Sequence, residues 1–312
     1  MRLARHSLAR HSLGIAIAIM VVWGINFSVT KFLLDHISVG PFLFMRFTLM
    51  PVLGFALLAA VYRRHIAKSW PRREDLARFA IAGLIGHSLH IGVVMWGINL
   101  STAFSSSLVL TSGPLWTLLI LAFLGVTLRR RQLVGTLVAF AGILVFMSDK
   151  FVRGFASGGW GDLMLLFAAS LFALYTVIVR PLTDKYGPVA VLSYTLLFGA
   201  PPLVAISLPS FLATDLSALS AGVWAAFFYS VVVSSFLGWL GWTWINAVRG
   251  VARSAPLQYL MPPIAGLVAW LTLGEAFPPL KILGAAVVMV GVAWAQFGAG
   301  PPRKEVAQPD AG

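Results

Sequence analysis

Ten apolar stretches follow one another along this chain with only short turns between them, and this constrains the fold more than any other feature. They lie at about 13–34, 39–62, 76–99, 102–127, 131–148, 160–180, 187–208, 218–247, 252–274 and 278–298. About twenty residues of α-helix rise about 30 Å, the thickness of a bilayer's hydrocarbon core. Lipid offers the backbone no hydrogen-bond partner, so stretches of this length must cross as helices. Composition agrees. The 312 residues are 59% hydrophobic and 11% charged, with a mean hydropathy of +0.89, where a soluble domain is roughly 25% charged. The net charge of +13 does not point to nucleic acid, because the basic residues sit in short clusters between apolar runs. With no cysteine, neither a disulfide nor a thiolate metal site is open to the chain. The expected fold is an all-α integral membrane protein with ten transmembrane helices.

The basic clusters give an orientation. Seventeen lysines and arginines fall on one side: Arg2, Arg5 and Arg10; Arg63, Arg64, Lys68, Arg72 and Arg73; Arg129, Arg130 and Arg131; Arg180 and Lys185; Arg249 and Arg253; Arg303 and Lys304. The opposite turns hold two, Lys150 and Arg153. Basic residues stay in the cytoplasm, so both termini are expected there. The tandem MRLARHSLARHS at the N-terminus reads as a cytoplasmic tail, since the apolar run after it is too long for a signal peptide's core.

The chain also repeats itself. At an ungapped offset of 149, Ala103, Ser105 and Pro114 meet Ala252, Ser254 and Pro263. Gly125, Gly135 and Gly142 then meet Gly274, Gly284 and Gly291. The same offset pairs Trp23 with Phe172, Asn26 with Tyr175 and Lys31 with Arg180. Each half has five spans, an odd number, so the second copy enters from the opposite side. The expected layout is a tail at 1–12, a first five-helix repeat at 13–148, an extracytoplasmic linker at 149–159, an inverted second repeat at 160–298 and a cytoplasmic tail at 299–312. Inverted repeats suit alternating access, with the substrate site at their interface.

Five features carry a resemblance: WGINFSVTK at Trp23–Lys31, Arg46-Phe47 in the second span, Gly274-Glu275 closing the ninth, and Gly284 and Gly291 in the tenth. With ten spans and a duplication, the chain resembles the EamA family of the drug/metabolite transporter superfamily over roughly residues 13–297. The resemblance implies a carrier with a central cavity, often exporting amino acids or related metabolites. One departure is visible: where the second copy has Gly274-Glu275, the first has Gly125-Val126.

Polar residues inside the spans are the site candidates. None of the ten acids falls near the middle of a span. Pumps driven by protons or sodium commonly use a buried carboxylate, and a carrier of lipophilic cations wants an anion, so both are disfavoured. His87 and His90 stand at i and i+3 on one face of the third span. They read either as neutral imidazoles bonded to neighbouring helices or as cavity groups able to couple transport to protons. Two histidines without a third ligand make a poor metal site, and no cofactor is expected. Asn26 and its repeat-mate Tyr175 serve either substrate or an interhelical hydrogen bond. Trp23 stands three residues before Asn26 on the same face. Trp239, the repeat-mate of His90, and Trp242 fit an aromatic wall; Trp244 fits a structural or lipid-facing place. Gln258 and Tyr259 precede the Pro262-Pro263 pair as further lining candidates. Arg46 lies seven residues into its span, where it either caps backbone carbonyls or holds a substrate carboxylate. Lys31, nearer a span end, has room to snorkel.

The function expected is secondary export of a small polar metabolite, foremost an amino acid of the aromatic or large neutral kind. The transport direction comes from the resemblance. Alternatives are carriage of nucleosides, sugars or cationic compounds, or an intramembrane lipid-modifying enzyme. The enzyme reading finds no HExxH, no acid pair and no nucleophile with a base, and no GxxxxGK[ST] stretch supports ATP coupling. The expected partners are a small-molecule substrate and membrane lipids, with no nucleic acid. The expected place is the bacterial cytoplasmic (inner) membrane, as monomer or homodimer.

Overall fold

The structure is a computed structural model that describes residues 2–63, 69–125, 130–148, 159–249 and 254–297. Of the linker expected at 149–159, residues 149–158 lie outside the described residues and Gly159 opens a helix; the tail at 299–312 also lies outside them. Every described element is helical. In chain order these are α1 (Arg2–His36), α2 (Val39–Val61) and α3 (Arg73–Leu100). Next come α4 (Ala103–Leu110), α5 (Gly113–Phe123) and α6 (Arg130–Phe146). Then follow α7 (Gly159–Leu212), α8 (Ala221–Arg249), α9 (Met261–Leu273) and α10 (Pro279–Phe297). Six described segments are long and apolar enough to cross a membrane. The chain is an integral membrane protein.

Helix α1 begins at Arg2, so the helix reaches back through the basic N-terminal repeat. Helix α7 is 54 residues long, about 80 Å at 1.5 Å per residue and far more than a bilayer's thickness. It bends at Gly187, whose φ of 76° and ψ of 162° suit glycine alone. The bend divides it into arms at 159–186 and 188–212.

The backbone repeats its irregularities at the offset read from the sequence. Helix α3 contains a π-helical turn at Leu84–Leu89, and α8 contains one at Tyr229–Leu237. Adding 149 to the first range gives 233–238, inside or beside the second. The break between α4 and α5 at Thr111–Ser112 maps onto the junction where a 3₁₀ turn, Ala255–Leu260, enters α9. Gly125 and Gly274, equivalent in the repeat, both adopt positive φ, 85° and 65°. π-helical turns are rare and gather at functional places, so finding them twice at equivalent positions argues for inheritance from one ancestral unit.

Equivalent helices also pack on each other. Helices α6 and α10 cross at glycines: a Cβ on Gly291 would stand 2.4 Å from the Ala139 backbone nitrogen, and one on Gly284 2.5 Å from that of Phe146. Without a hydrophobic drive between helices in lipid, such close backbone approach is what holds them.

Polar contacts tie the ends of the bundle. At the end carrying Tyr62, Arg72 and Lys185, the Lys185 ammonium donates to Glu74 (2.9 Å) and to Asp75 (2.5 Å). Tyr186 donates to the same Asp75 oxygen at 2.5 Å, and Tyr62 donates to the Tyr186 carbonyl at 3.1 Å. This basic end thus joins the start of α3 to the bend in α7. At the other end Glu275 accepts from the Ala103 and Phe104 amides at 2.6 and 3.2 Å. A carboxylate there satisfies orphan donors and meets the positive end of α4's dipole. Lys31 does the converse, donating to the Ile98 and Asn99 carbonyls (3.4 and 2.9 Å) at the end of α3.

Candidate functional site

A cavity of about 720 Å³, counting its mouth, lies among α1, α2, α3, α4, the first arm of α7, α8 and the entry to α9. Its polar lining is Asn26, Arg46, His90, Ser234, Ser235 and Gln258. Its aromatic lining is Trp23, Phe27, Phe172 and Trp239. Ile91, Val94, Met95, Ile98, Leu110 and Met261 complete it. Among the described residues neither aspartate nor glutamate is in the lining. Among the described residues no group of three histidines or acids is placed to hold a metal.

Backbone irregularity sets several of these side chains. The π-helical turn in α8 leaves the Ser234 carbonyl to accept from the Trp23 indole N–H at 2.9 Å. Ser235 donates to the carbonyl five residues back, Ser230, at 2.7 Å. In α3 the π-helical turn spans His87 and ends just before His90. His90 Nδ1 lies 2.9 Å from the Ala168 carbonyl. A carbonyl only accepts, so Nδ1 carries a proton there and Nε2 is the ring's acceptor when neutral. Asn26 donates through Nδ2 to Thr30 at 3.1 Å, while its Oδ1 is buried without a partner. Arg46 is 3% exposed, its Nε buried without a partner, with the Phe47 ring 5.7 Å from its guanidinium carbon.

Six of the ten residues singled out in the sequence, Trp23, Asn26, Arg46, His90, Trp239 and Gln258, line this cavity. His87, Tyr175 and Trp242 form a layer beneath it. His87 bonds to Thr195 at 3.1 Å and packs on Trp239 with ring centroids 4.9 Å apart. The Thr195 hydroxyl donates to the Val191 carbonyl (2.8 Å), so it accepts from His87 Nε2–H. Tyr175 packs on the other side of this cluster, 5.3 Å from Trp239 and 5.6 Å from His87. Trp242 packs on Trp23 at 5.7 Å. Tyr175 and Trp242 also line a smaller crevice with Arg180, Thr183 and Asn246, so the aromatic layer separates that crevice from the main cavity. Tyr259 is buried and lines neither space.

Several lining residues were not singled out in the sequence. Ile91, Val94, Met95 and Ile98 follow i, i+3, i+4, i+7, a stripe readable as one helix face. Phe172 carried a signal as the repeat-mate of Trp23. Ser234 and Ser235 carried none, because a serine in an apolar run reads as a packing residue.

The sequence profile of the EamA-like transporter family matches residues 12–148 and again residues 159–296, once per repeat. The chain belongs to the EamA-like transporter family. Several relatives bear transporter, exporter or efflux-pump names. A probable terminal-alkyne amino-acid exporter of Streptantibioticus cattleyicolor is 28% identical over 88% of this chain and 89% of its own. A probable amino-acid metabolite efflux pump of Escherichia coli is 25% identical over 91% and 94%. A crystal structure at 18% identity shares the fold, with a TM-score of 0.63 over 93% of this chain and 98% of that one. Family and relatives point to a membrane transporter of metabolites rather than an enzyme.

Proposed function

We propose that this member of the EamA-like family is a secondary carrier that exports small polar metabolites, amino acids foremost, across a bacterial inner membrane. In this reading α7 crosses twice, the α4–α5 pair once, and the chain spans the membrane ten times as two inverted repeats with both termini in the cytoplasm. The observation that carries the proposal is the cavity's shared ownership. Trp23, Asn26, Arg46 and His90 come from the first repeat; Phe172, Ser234, Trp239 and Gln258 come from the second. A site built by both halves changes its access when one half rocks against the other. With the basic end in the cytoplasm, the layer of His87, Tyr175, Trp239 and Trp242 closes the path inward. The names of the Streptantibioticus and Escherichia relatives support amino acids as the class. The cavity lies within one chain, so a monomer suffices for transport.

Purified protein in proteoliposomes, preloaded with unlabelled amino acid, should take up the labelled form by counterflow, tested across the neutral amino acids with and without a pH gradient. Counterflow establishes the carrier, and acceleration by the gradient assigns proton coupling. Silence across the panel, with folded protein, removes amino acids and moves the test to nucleosides, sugars and cations.

A further inference from the structure

The cavity contains a positive charge that no acid among the described residues balances. Arg46 lies seven residues inside α2 and is 3% exposed. Among the described residues no Asp or Glu lines the cavity with it. The ion pairs of Glu74, Asp75 and Asp184 are made with Arg72, Lys185 and Arg180 at the basic end, not with Arg46. A structural cation in such a bundle spends its donors on backbone carbonyls, as Lys31 does on Ile98 and Asn99 at the end of α3. Arg46 has no such hydrogen bond among the described residues, and its Nε is an orphan. Its one favourable neighbour there is the Phe47 ring face. A buried guanidinium is costly unless paired, and a planar fork of donors matches a carboxylate.

We infer that Arg46 anchors a substrate carboxylate, and that the carrier selects for the carboxylate and an apolar body rather than for an amino group. This rests on the carrier reading proposed above. The asymmetry follows from what the cavity offers each charge. A carboxylate meets a full, unspent cation. An ammonium meets only neutral acceptors, of which the best placed is Asn26 Oδ1: it is buried and unpartnered, and Thr30 holds the amide by its other end. The apolar body lies against Phe172, Trp239 and Val94. A molecule with an amine and no carboxylate adds a second positive charge beside Arg46 and is repelled.

The test is the thermal stability of the purified wild-type carrier titrated with four probes sharing one body: phenylalanine, 3-phenylpropanoate, phenylalaninamide and 2-phenylethylamine. The two carboxylates should stabilise the protein, with the amide and the amine about tenfold to a hundredfold weaker, the range for losing a charge-assisted hydrogen bond. Arg46→Gln should abolish that preference and Arg46→Lys should retain part of it. The wild-type series decides even if Arg46→Gln fails to fold. The amide or amine binding as well as the acids overturns the inference, as does an unchanged preference in folded Arg46→Gln. Binding by none of the four overturns it too; counterflow of a nucleoside or sugar in the same preparation would then leave the carrier reading standing.

Discussion

At the scale of single residues, the cavity's polar groups are only partly committed to the protein: Asn26 spends its Nδ2 on Thr30 and leaves Oδ1 without a partner among the described residues, and Arg46 leaves its Nε without one. His90 donates to Ala168 across to α7, and its ring faces Phe172 and Trp239 at 5.3 and 6.0 Å. Trp244, two residues past Trp242 in α8, packs against the core away from the cavity. His90→Ala should therefore lower counterflow by about tenfold, the scale of one hydrogen bond and part of a wall. Trp244→Phe should leave it within about twofold, since an aromatic swap away from the site changes little. Equal activities in the two variants would count against this cavity as the site. Asn26, Arg46, His90 and Trp239 were legible in the sequence because a polar or amphipathic side chain mid-span is expensive unless it has work. Phe27, Leu110 and Met261 were not, because apolar residues in an apolar span look alike whether they face lipid, a neighbour or a cavity.

At the scale of elements, the π-helical turns and the glycine crossing do most to place side chains. An added residue in a turn rotates everything beyond it by about 100°. This is why His87 and His90, one face by simple i, i+3 spacing, divide their work. His87 bonds Thr195 in the layer below, and His90 lines the cavity. The α6–α10 pair depends on bare backbone at Gly291, where any Cβ meets the Ala139 nitrogen and the Gly135 carbonyl. Gly291→Leu should push the helices apart, costing about 1–3 kcal/mol by overpacking. It should lower the apparent melting temperature while Leu283→Ala, on an exposed position of the same helix, barely changes it. If Gly291→Leu melts like the parent, the two helices are not held by this contact. The sequence marked Gly284 and Gly291 by their repetition, yet the partner of each became visible only once α6 lay alongside.

At the scale of the whole molecule, the proposed orientation has a direct check, because the chain has no cysteine of its own. Ser217, exposed in the turn between α7 and α8, and Arg72, exposed at the opposite, basic end, serve as single-cysteine positions. In intact cells a membrane-impermeant thiol reagent should label Ser217→Cys and spare Arg72→Cys until the membrane is opened. The reverse pattern would invert the topology and with it the assignment of the aromatic layer as the cytoplasmic closure. Hydropathy and spacing alone place the chain in lipid as helices and show its repeat at 149 residues, while the motifs between Trp23 and Gly291 carry its likeness to the EamA-like transporter family. Hydropathy and spacing are enforced locally by lipid and need no knowledge of neighbours. Packing in three dimensions settles which polar groups share one cavity, that Glu275 serves the start of α4, and that Arg46 stands there with no counter-charge among the described residues. Those depend on helix phase and on partners far apart in the chain: α2 meets α7 and α8 through packing, and no local pattern in α2 records what the other helices bring to it.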